Sequence, residues 1–256
     1  MTTVVVFGGS GFLGRRLVRR LAGDGWNVRV AVRHPAPARR ILKAAGLDRV
    51  TVQRADVCDQ ATVAAAIAGA DAVVNAVSAY VERGGETFEA VHVRGAEMVA
   101  RVAATAGVAR LVLVSGIGAD PESRSPYIGA RGRGERAVQR EFPGATIVRP
   151  SAMFGPGDAL FGTLAELTQL LSVLPLIGGG RTHLQPVYVE DVVEAKITGI
   201  MCRPRNSAPL SPSLVRHALR LASTTRIPTG ICVGRRSPIA TECRMGSRIE
   251  TIRLPL

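Results

Sequence analysis

A run of four apolar residues, Val4 to Phe7, leads straight into Gly8-Gly9-Ser10-Gly11-Phe12-Leu13-Gly14. An amphipathic stretch follows, with Leu13, Leu17 and Leu21 on one face. Strand, glycine turn and helix in that order are what a chain needs to cradle a pyrophosphate. Gly8 permits the tight turn, Gly11 lets an anion reach the backbone with no Cβ in the way, and Gly14 lets helix and strand pack closely. The free N–H groups of the first helical turn and the helix dipole then favour the anion. The expected cradle spans Gly8, Gly9, Ser10, Gly11, Phe12, Leu13 and Gly14. A glycine-rich turn holding no ligand is the plainer alternative.

The same alternation continues along the chain. Strands are expected at 3–7, 27–32, 50–54, 72–76, 111–114 and 145–149, and helices at about 11–22, 36–45, 60–67, 88–106 and 127–142. Six strands joined by helices imply an α/β chain with a Rossmann-like, doubly wound parallel sheet. After Pro150 the rhythm changes: 151–158 reads as a loop, 160–171 as helix-like, 186–189 as a short strand, and a helix begins at Glu190. These pieces are expected to form a small C-terminal cap region on the substrate side of the sheet.

Composition narrows the function classes. With 46% apolar and 21% charged residues, the chain has enough to bury a core and is not of disordered type. The most apolar stretch, 159–177, is interrupted by Glu166, Gln169 and Pro175, so no membrane span is expected. The start of the chain lacks the basic region and cleavage site of a secretory signal. Cys58, Cys202, Cys232 and Cys243 form no CxxC pair, and His34, His92, His183 and His217 are scattered, so no metal site is expected. Reduced thiols fit a cytoplasmic location.

The formal charge of +13 is unevenly spread. From Ile197 onward ten Arg face only Glu242 and Glu250, a surplus of eight, which leaves five for the first 196 residues. The basic charge therefore sits in a proline-interrupted tail, 197–256, where only 213–222 resembles a helix. Two readings of the tail stay open: a loosely ordered basic extension, or a segment that is not a native-type continuation, such as the product of a frame shift. Nucleic acid is not an expected partner, and salt-dependent retention of the tail on RNA or anionic membranes would be its signature. The domain plan is a dinucleotide-binding domain over 1–196, with substrate-side elements at 151–196, followed by the tail.

The residue that closes the second strand normally meets the adenosine ribose, and an acidic side chain there selects NAD. Here the stretch reads Val32-Arg33-His34-Pro35, with no Asp or Glu. Arg33 offers a cationic fork suited to a 2′-phosphate, which favours NADP over NAD. A solvated loop charge is the bland alternative. Asp56 and Val57, after the third strand, are placed to border the adenine. Asn75, Ala76 and Val77, at the end of the fourth, are placed to line the cofactor channel.

Four segments together resemble the short-chain dehydrogenase/reductase superfamily in its extended or atypical branch. They are 7–14, Val-Ser-Gly-Ile-Gly-Ala-Asp at 114–120, Arg-Pro-Ser-Ala-Met-Phe-Gly-Pro-Gly-Asp at 149–158, and Pro-Val-Tyr-Val-Glu-Asp-Val at 186–192. The nearest resemblance is to the group that includes the nucleotide-binding accessory subunit of respiratory complex I, and it runs from residue 3 to about 196. The resemblance implies a catalytic Ser/Tyr/Lys set. Ser115 and Tyr127 match it by position, while Arg131 stands where the Lys belongs. One helical turn places Arg131 on the same face as Tyr127, where its charge favours tyrosinate and its fork can donate to ribose hydroxyls. It cannot relay a proton as Lys can. Gly129, Gly132 and Gly134 are expected to weaken this helix by about 1 kcal/mol each relative to Ala.

Pro150 fixes the chain as it leaves the sixth strand and borders the cofactor. The implied activity is an NADPH-dependent oxidoreductase acting on a small apolar carbonyl-type substrate. The alternative is a non-catalytic cofactor-binding assembly protein, peripheral to the inner membrane within a respiratory complex.

Overall fold

The structure, a computed structural model, describes residues 2–47, 50–159, 162–163 and 185–201. The tail beyond residue 201 and nearly all of the expected helix at 160–171 lie outside the described residues. Six parallel strands form one sheet: β1 (Thr3–Phe7), β2 (Asn27–Val32), β3 (Thr51–Arg54), β4 (Ala72–Asn75), β5 (Arg110–Val114) and β6 (Thr146–Val148). Their order across the sheet is β3-β2-β1-β4-β5-β6. The chain winds outward from β1 to β3, returns, and winds outward again from β4. The strand order therefore reverses between β1 and β4, and in such sheets that crevice receives the ligand.

The central strand shows why the sheet forms. Val4, Val5 and Val6 are wholly buried and Phe7 nearly so. A strand covered on both faces reads as an unbroken apolar run. Its side chains alternate between two cores. Val4 and Val6 pack with Leu17 and Leu21 of α1 (Gly14–Gly23), and with Leu42 of α2 (Pro35–Ala44). Val5 and Phe7 pack with Val63 and Ile67 of α3 (Gln60–Ile67), Val99 of α4 (Ala96–Thr105) and Val138 of α5 (Pro126–Glu141). Local signals set the helix starts: Asp59 accepts from the Ala61 and Thr62 N–H groups, and Ser125 caps α5 just before Pro126.

Four details differ from the sequence reading. First, α1 begins at Gly14, not near Gly11, because residues 8–13 form turns closed by the Gly11 N–H on the Gly8 carbonyl at 3.0 Å. Second, the expected helix at 88–106 is two segments: a π-helical stretch, Glu89–Gly95, precedes α4. Such widened turns often accompany functional sites, and this one carries His92.

Third, two glycines of α5 are contact points rather than mere weak spots. A Cβ on Gly132 would lie 2.2 Å from the Pro121 nitrogen, and one on Gly134 would lie 1.9 Å from the His92 carbonyl oxygen. Fourth, the expected loop at 151–158 includes a two-residue strand, β7 (Met153–Phe154), paired in parallel with β8 (Val187–Tyr188).

The helix α6 (Val189–Met201) follows β8 and adds Val189, Val192 and Val193 to the core beside α1. Arg16, itself buried, fastens the cap: it donates to the Phe12 carbonyl at 2.7 Å, to the Pro156 carbonyl at 2.6 Å and to Glu190 at 3.1 Å.

Candidate functional site

The glycine turn is built by close approach. Gly8 has φ +75°, and a Cβ there would sit 2.9 Å from the Ala76 carbonyl oxygen. A Cβ on Gly14 would lie 2.2 Å from the Gly8 carbonyl oxygen, so only glycine lets α1 start this near the turn. Gly9 serves packing: its Cβ would meet Val30 at 2.9 Å. Gly11 differs, since only the Gly8 carbonyl oxygen, at 3.3 Å, would meet its Cβ, and the residue is exposed. A surface that cannot carry side chains, open at one face and topped by a helix N-terminus, fits a pyrophosphate. Leu13 is buried in the core, and the half-buried Phe12 ring lies under Arg16, 4.4 Å from guanidinium carbon to centroid.

A cleft of about 850 Å³ opens at this turn. Gly8, Ser10, Gly11, Ala76 and Val77 line it. Arg33, His34, Asp56 and Val57, the residues the sequence assigned to the adenosine, line it too. Asp56 is partly engaged, its Oδ1 accepting the Cys58 N–H at 2.9 Å. The stretch 32–35 carries no carboxylate of its own, yet one reaches Arg33 from a distant part of the chain. Glu86 forms an ion pair with the Arg33 guanidinium. It arrives on a tight turn, Arg83-Gly84-Gly85-Glu86, whose ends pair as an antiparallel bridge. The sequence alone assigned this turn no role, and its pairing with Arg33 crosses the fold.

At the ends of β4 and β5 lies a small pocket of about 10 Å³. Asn75, Val77, His92, Ser115 and Arg131 line it. The Ser115 hydroxyl is buried with no hydrogen-bond partner among the described residues. Arg131 is only 6% exposed; its Nη2 donates to Ser78 at 2.8 Å, while Nε and Nη1 have no partner among the described residues. Among the described residues no carboxylate forms an ion pair with it. A buried guanidinium with idle donors is costly unless a ligand or an electron-rich group answers it. These idle donors beside the cleft fit a group rich in hydroxyl oxygens, such as a nucleotide ribose.

Tyr127 stands over this floor. The Arg131 guanidinium carbon lies 4.8 Å from its ring centroid, and the rings of Phe88, His92 and Tyr80 surround it at 5.4, 5.6 and 5.9 Å. Burial raises the Tyr127 pKa above the ordinary tyrosine value, while the Arg131 charge and hydrogen bonding from Ser78 and Arg131 pull it down. The phenol thus keeps its proton at neutral pH. Burial lowers the His92 pKa, opposed by its hydrogen bond to Ala79, so the ring tends to stay neutral. Its Nε2 lies 2.9 Å from the Ala79 carbonyl oxygen.

Ser115, Tyr127 and Arg131 therefore come together as expected, and His92, Ser78 and Tyr80 join them unannounced. No spacing rule linked those three to the site, because loop 76–82 and the π-helical segment bring them there. Pro150 lines neither cavity; its carbonyl accepts the Ile117 N–H at 2.9 Å. Beside it, Arg149 pairs with the buried Glu135 of α5 at 3.0 Å.

Known proteins resemble this chain in sequence and fold. The family model described as NAD(P)H-binding matches residues 8–159. The chain is 38% identical over 197 residues to NADH dehydrogenase [ubiquinone] 1 alpha subcomplex subunit 9, mitochondrial, of Arabidopsis thaliana, covering 76% of this chain and 49% of that protein. It is 36% identical over 200 residues to ceramide reductase of Caulobacter vibrioides, covering 78% and 61% respectively.

The chain thus spans about half the length of the mitochondrial relatives it matches. Among solved structures, dTDP-glucose 4,6-dehydratase of Streptomyces venezuelae with NAD and TYD bound superposes with a TM-score of 0.66 at 26% identity, over 76% of this chain and 70% of that one. The glycine cradle, the strand order and these relatives agree, and the chain belongs to the NAD(P)H-binding family within the short-chain dehydrogenase/reductase-like, epimerase/dehydratase-like group.

Proposed function

We propose that the chain is an NADPH-dependent oxidoreductase of the atypical short-chain type, acting on a small apolar carbonyl-type substrate. The convergence of Ser115, Tyr127 and Arg131 at the inner end of the nucleotide cleft carries this reading. Gly8 to Gly14 would hold the pyrophosphate, Arg33 the 2′-phosphate, and Asp56 and Val57 the adenine side. When bound, the reduced nicotinamide supplies hydride chemistry that no side chain can.

The chain's own contribution is a proton and its control. Tyr127, protonated at neutral pH by burial, donates its phenolic proton to the substrate oxygen. The Ser115 hydroxyl, without a partner among the described residues, is free to donate a hydrogen bond to the same oxygen. Arg131 stabilises the tyrosinate left behind and offers Nε and Nη1 to ribose hydroxyls. Arg131 stays protonated throughout, so Tyr127 must recover its proton from elsewhere. The apolar rings of Tyr80 and Phe88 beside Tyr127 suit a substrate with an apolar body.

A second reading rests on Arg131 itself. Its guanidinium lies against the Tyr127 ring and bonds Ser78, an arrangement that binds without helping to return a proton. The chain would then hold NADPH as a structural element, as an assembly partner of a respiratory complex at the inner-membrane surface. Its likeness to the mitochondrial complex subunits motivates that partner. Among the described residues no helix is long and apolar enough to cross a membrane.

Carbonyl reduction by Tyr127→Phe and Arg131→Lys variants separates the two roles. Loss of an existing activity in Tyr127→Phe, with NADPH affinity kept, supports the enzyme. Activity that first emerges in Arg131→Lys supports the binding protein.

A further inference from the structure

The adenosine end of the cleft holds a charge the sequence did not place there. Arg33, the candidate 2′-phosphate clamp, is paired with Glu86. Both side chains are about half exposed, at 44% and 49%. Glu86 is fixed from both sides. The Arg83 N–H donates to the Glu86 carbonyl at 3.2 Å and the Glu86 N–H donates to the Arg83 carbonyl at 3.0 Å. Two residues on, the Phe88 N–H donates to Glu82 Oε1 at 2.7 Å, which ties the outgoing chain to the start of the same loop. Gly84, with φ +56°, permits the turn between them. The carboxylate thus rests beside Arg33 on a short, tethered loop, and Arg33, Arg83 and Glu86 all line the cleft.

We propose that Glu86 is a specificity-determining residue: its carboxylate occupies the Arg33 fork as an internal substitute for the 2′-phosphate of NADPH. The inference rests on the reading of Arg33 as the 2′-phosphate clamp. A phosphate dianion and a carboxylate compete for one guanidinium, and the phosphate makes the stronger charge-assisted contact. An exposed ion pair is weak, so it yields to the ligand. Until it yields, it subtracts from NADPH binding alone. NADH carries a 2′-hydroxyl, which needs no cation and meets no repulsion from a carboxylate. Arg33 therefore confers the preference for NADPH, and Glu86 limits its size.

The test is an equilibrium fluorescence titration of the full chain with NADPH and with NADH at one salt concentration. Wild type, Glu86→Gln, Arg33→Ala and the double variant are compared. Glu86→Gln is expected to tighten NADPH binding by about fivefold and to leave NADH within about twofold. In the Arg33→Ala background the same change is expected to have no effect on NADPH.

If Arg33→Ala weakens NADPH selectively but Glu86→Gln changes nothing, the competition is refuted while the clamp stands. If Glu86→Gln weakens NADH, Glu86 is a ribose acceptor and the proposal fails. If it tightens both nucleotides, or tightens NADPH without Arg33, the effect is general repulsion and the proposal also fails. If Arg33→Ala leaves the ratio of the two affinities unchanged, the clamp itself is wrong and the inference falls with it.

Discussion

Gly134→Ala in α5 sets two physical rules against each other. Helix propensity alone says that Ala stabilises an interior helical position by about 1 kcal/mol over Gly. The packing says the opposite. The new methyl carbon would lie 1.9 Å from the His92 carbonyl oxygen, where ordinary contact begins at 3.4 Å. The obstacle is backbone, so it cannot rotate away, and α5 and the segment 89–95 must separate by about 1.5 Å. A gap of even half that size forfeits a quarter to a half of the dispersion attraction across the interface.

Overpacking of this kind costs about 3 kcal/mol, so the net loss is about 2 kcal/mol after the propensity gain. Urea unfolding followed by far-UV circular dichroism is the assay, with a lower midpoint and an unchanged slope expected. A melting point lower by roughly 4–8 °C is the thermal equivalent. Gly23→Ala is the control, because among the described residues no neighbouring atom lies within 4 Å of its Cβ position. It is expected to be neutral or stabilising by up to about 1 kcal/mol. A Gly134→Ala midpoint at or above wild type would show that α5 does not meet the His92 carbonyl as described.

Two further outcomes follow from buried charge. Arg149→Ala leaves the Glu135 carboxylate buried without its partner, and a loss of about 2 kcal/mol is expected, reduced because Arg149 is half exposed; chemical denaturation checks it, and no loss would mean Glu135 finds another donor. Burial lowers the His92 pKa, so the unfolded chain takes up the His92 proton more readily than the folded one. Stability tied to His92 is then fully present above the unfolded value of about 6.5 and is lost progressively below it, as pH falls through the lower folded value. His92→Gln should flatten that part of the acid limb in urea midpoints measured between pH 7.5 and 5, and an unchanged slope there would contradict it.

Much of the fold was legible because periodicity and glycine chemistry act locally. Val4–Phe7, buried on both faces, reads as an unbroken apolar run, and Gly8 and Gly14 sit where only glycine avoids a clash. The grouping of Ser115, Tyr127 and Arg131 came from the family resemblance, and the end of β5 and the start of α5 bring them to one place. What escaped depends on contacts between distant segments. The sequence shows Gly132 and Gly134 only as poor helix formers, yet Asp120–Pro121 and the His92 backbone press against them. Glu86 comes to Arg33 through the turn at 83–86, which lies beyond the reach of any helical or strand period. His92 enters the site because residues 89–95 wind as a π-helix, a departure that the 3.6-residue pattern hides.

The central claim is that the cleft beside Gly8–Gly14 takes a nicotinamide dinucleotide and favours NADPH. A fluorescence titration of the purified wild-type chain with NADPH, run beside NADH in the same buffer, tests it most directly. Tighter binding of NADPH, by at least about tenfold or 1.4 kcal/mol, is expected from Arg33 even with Glu86 in place. Binding of neither nucleotide would contradict the account at its base, and the catalytic reading of Ser115, Tyr127 and Arg131 would go with it.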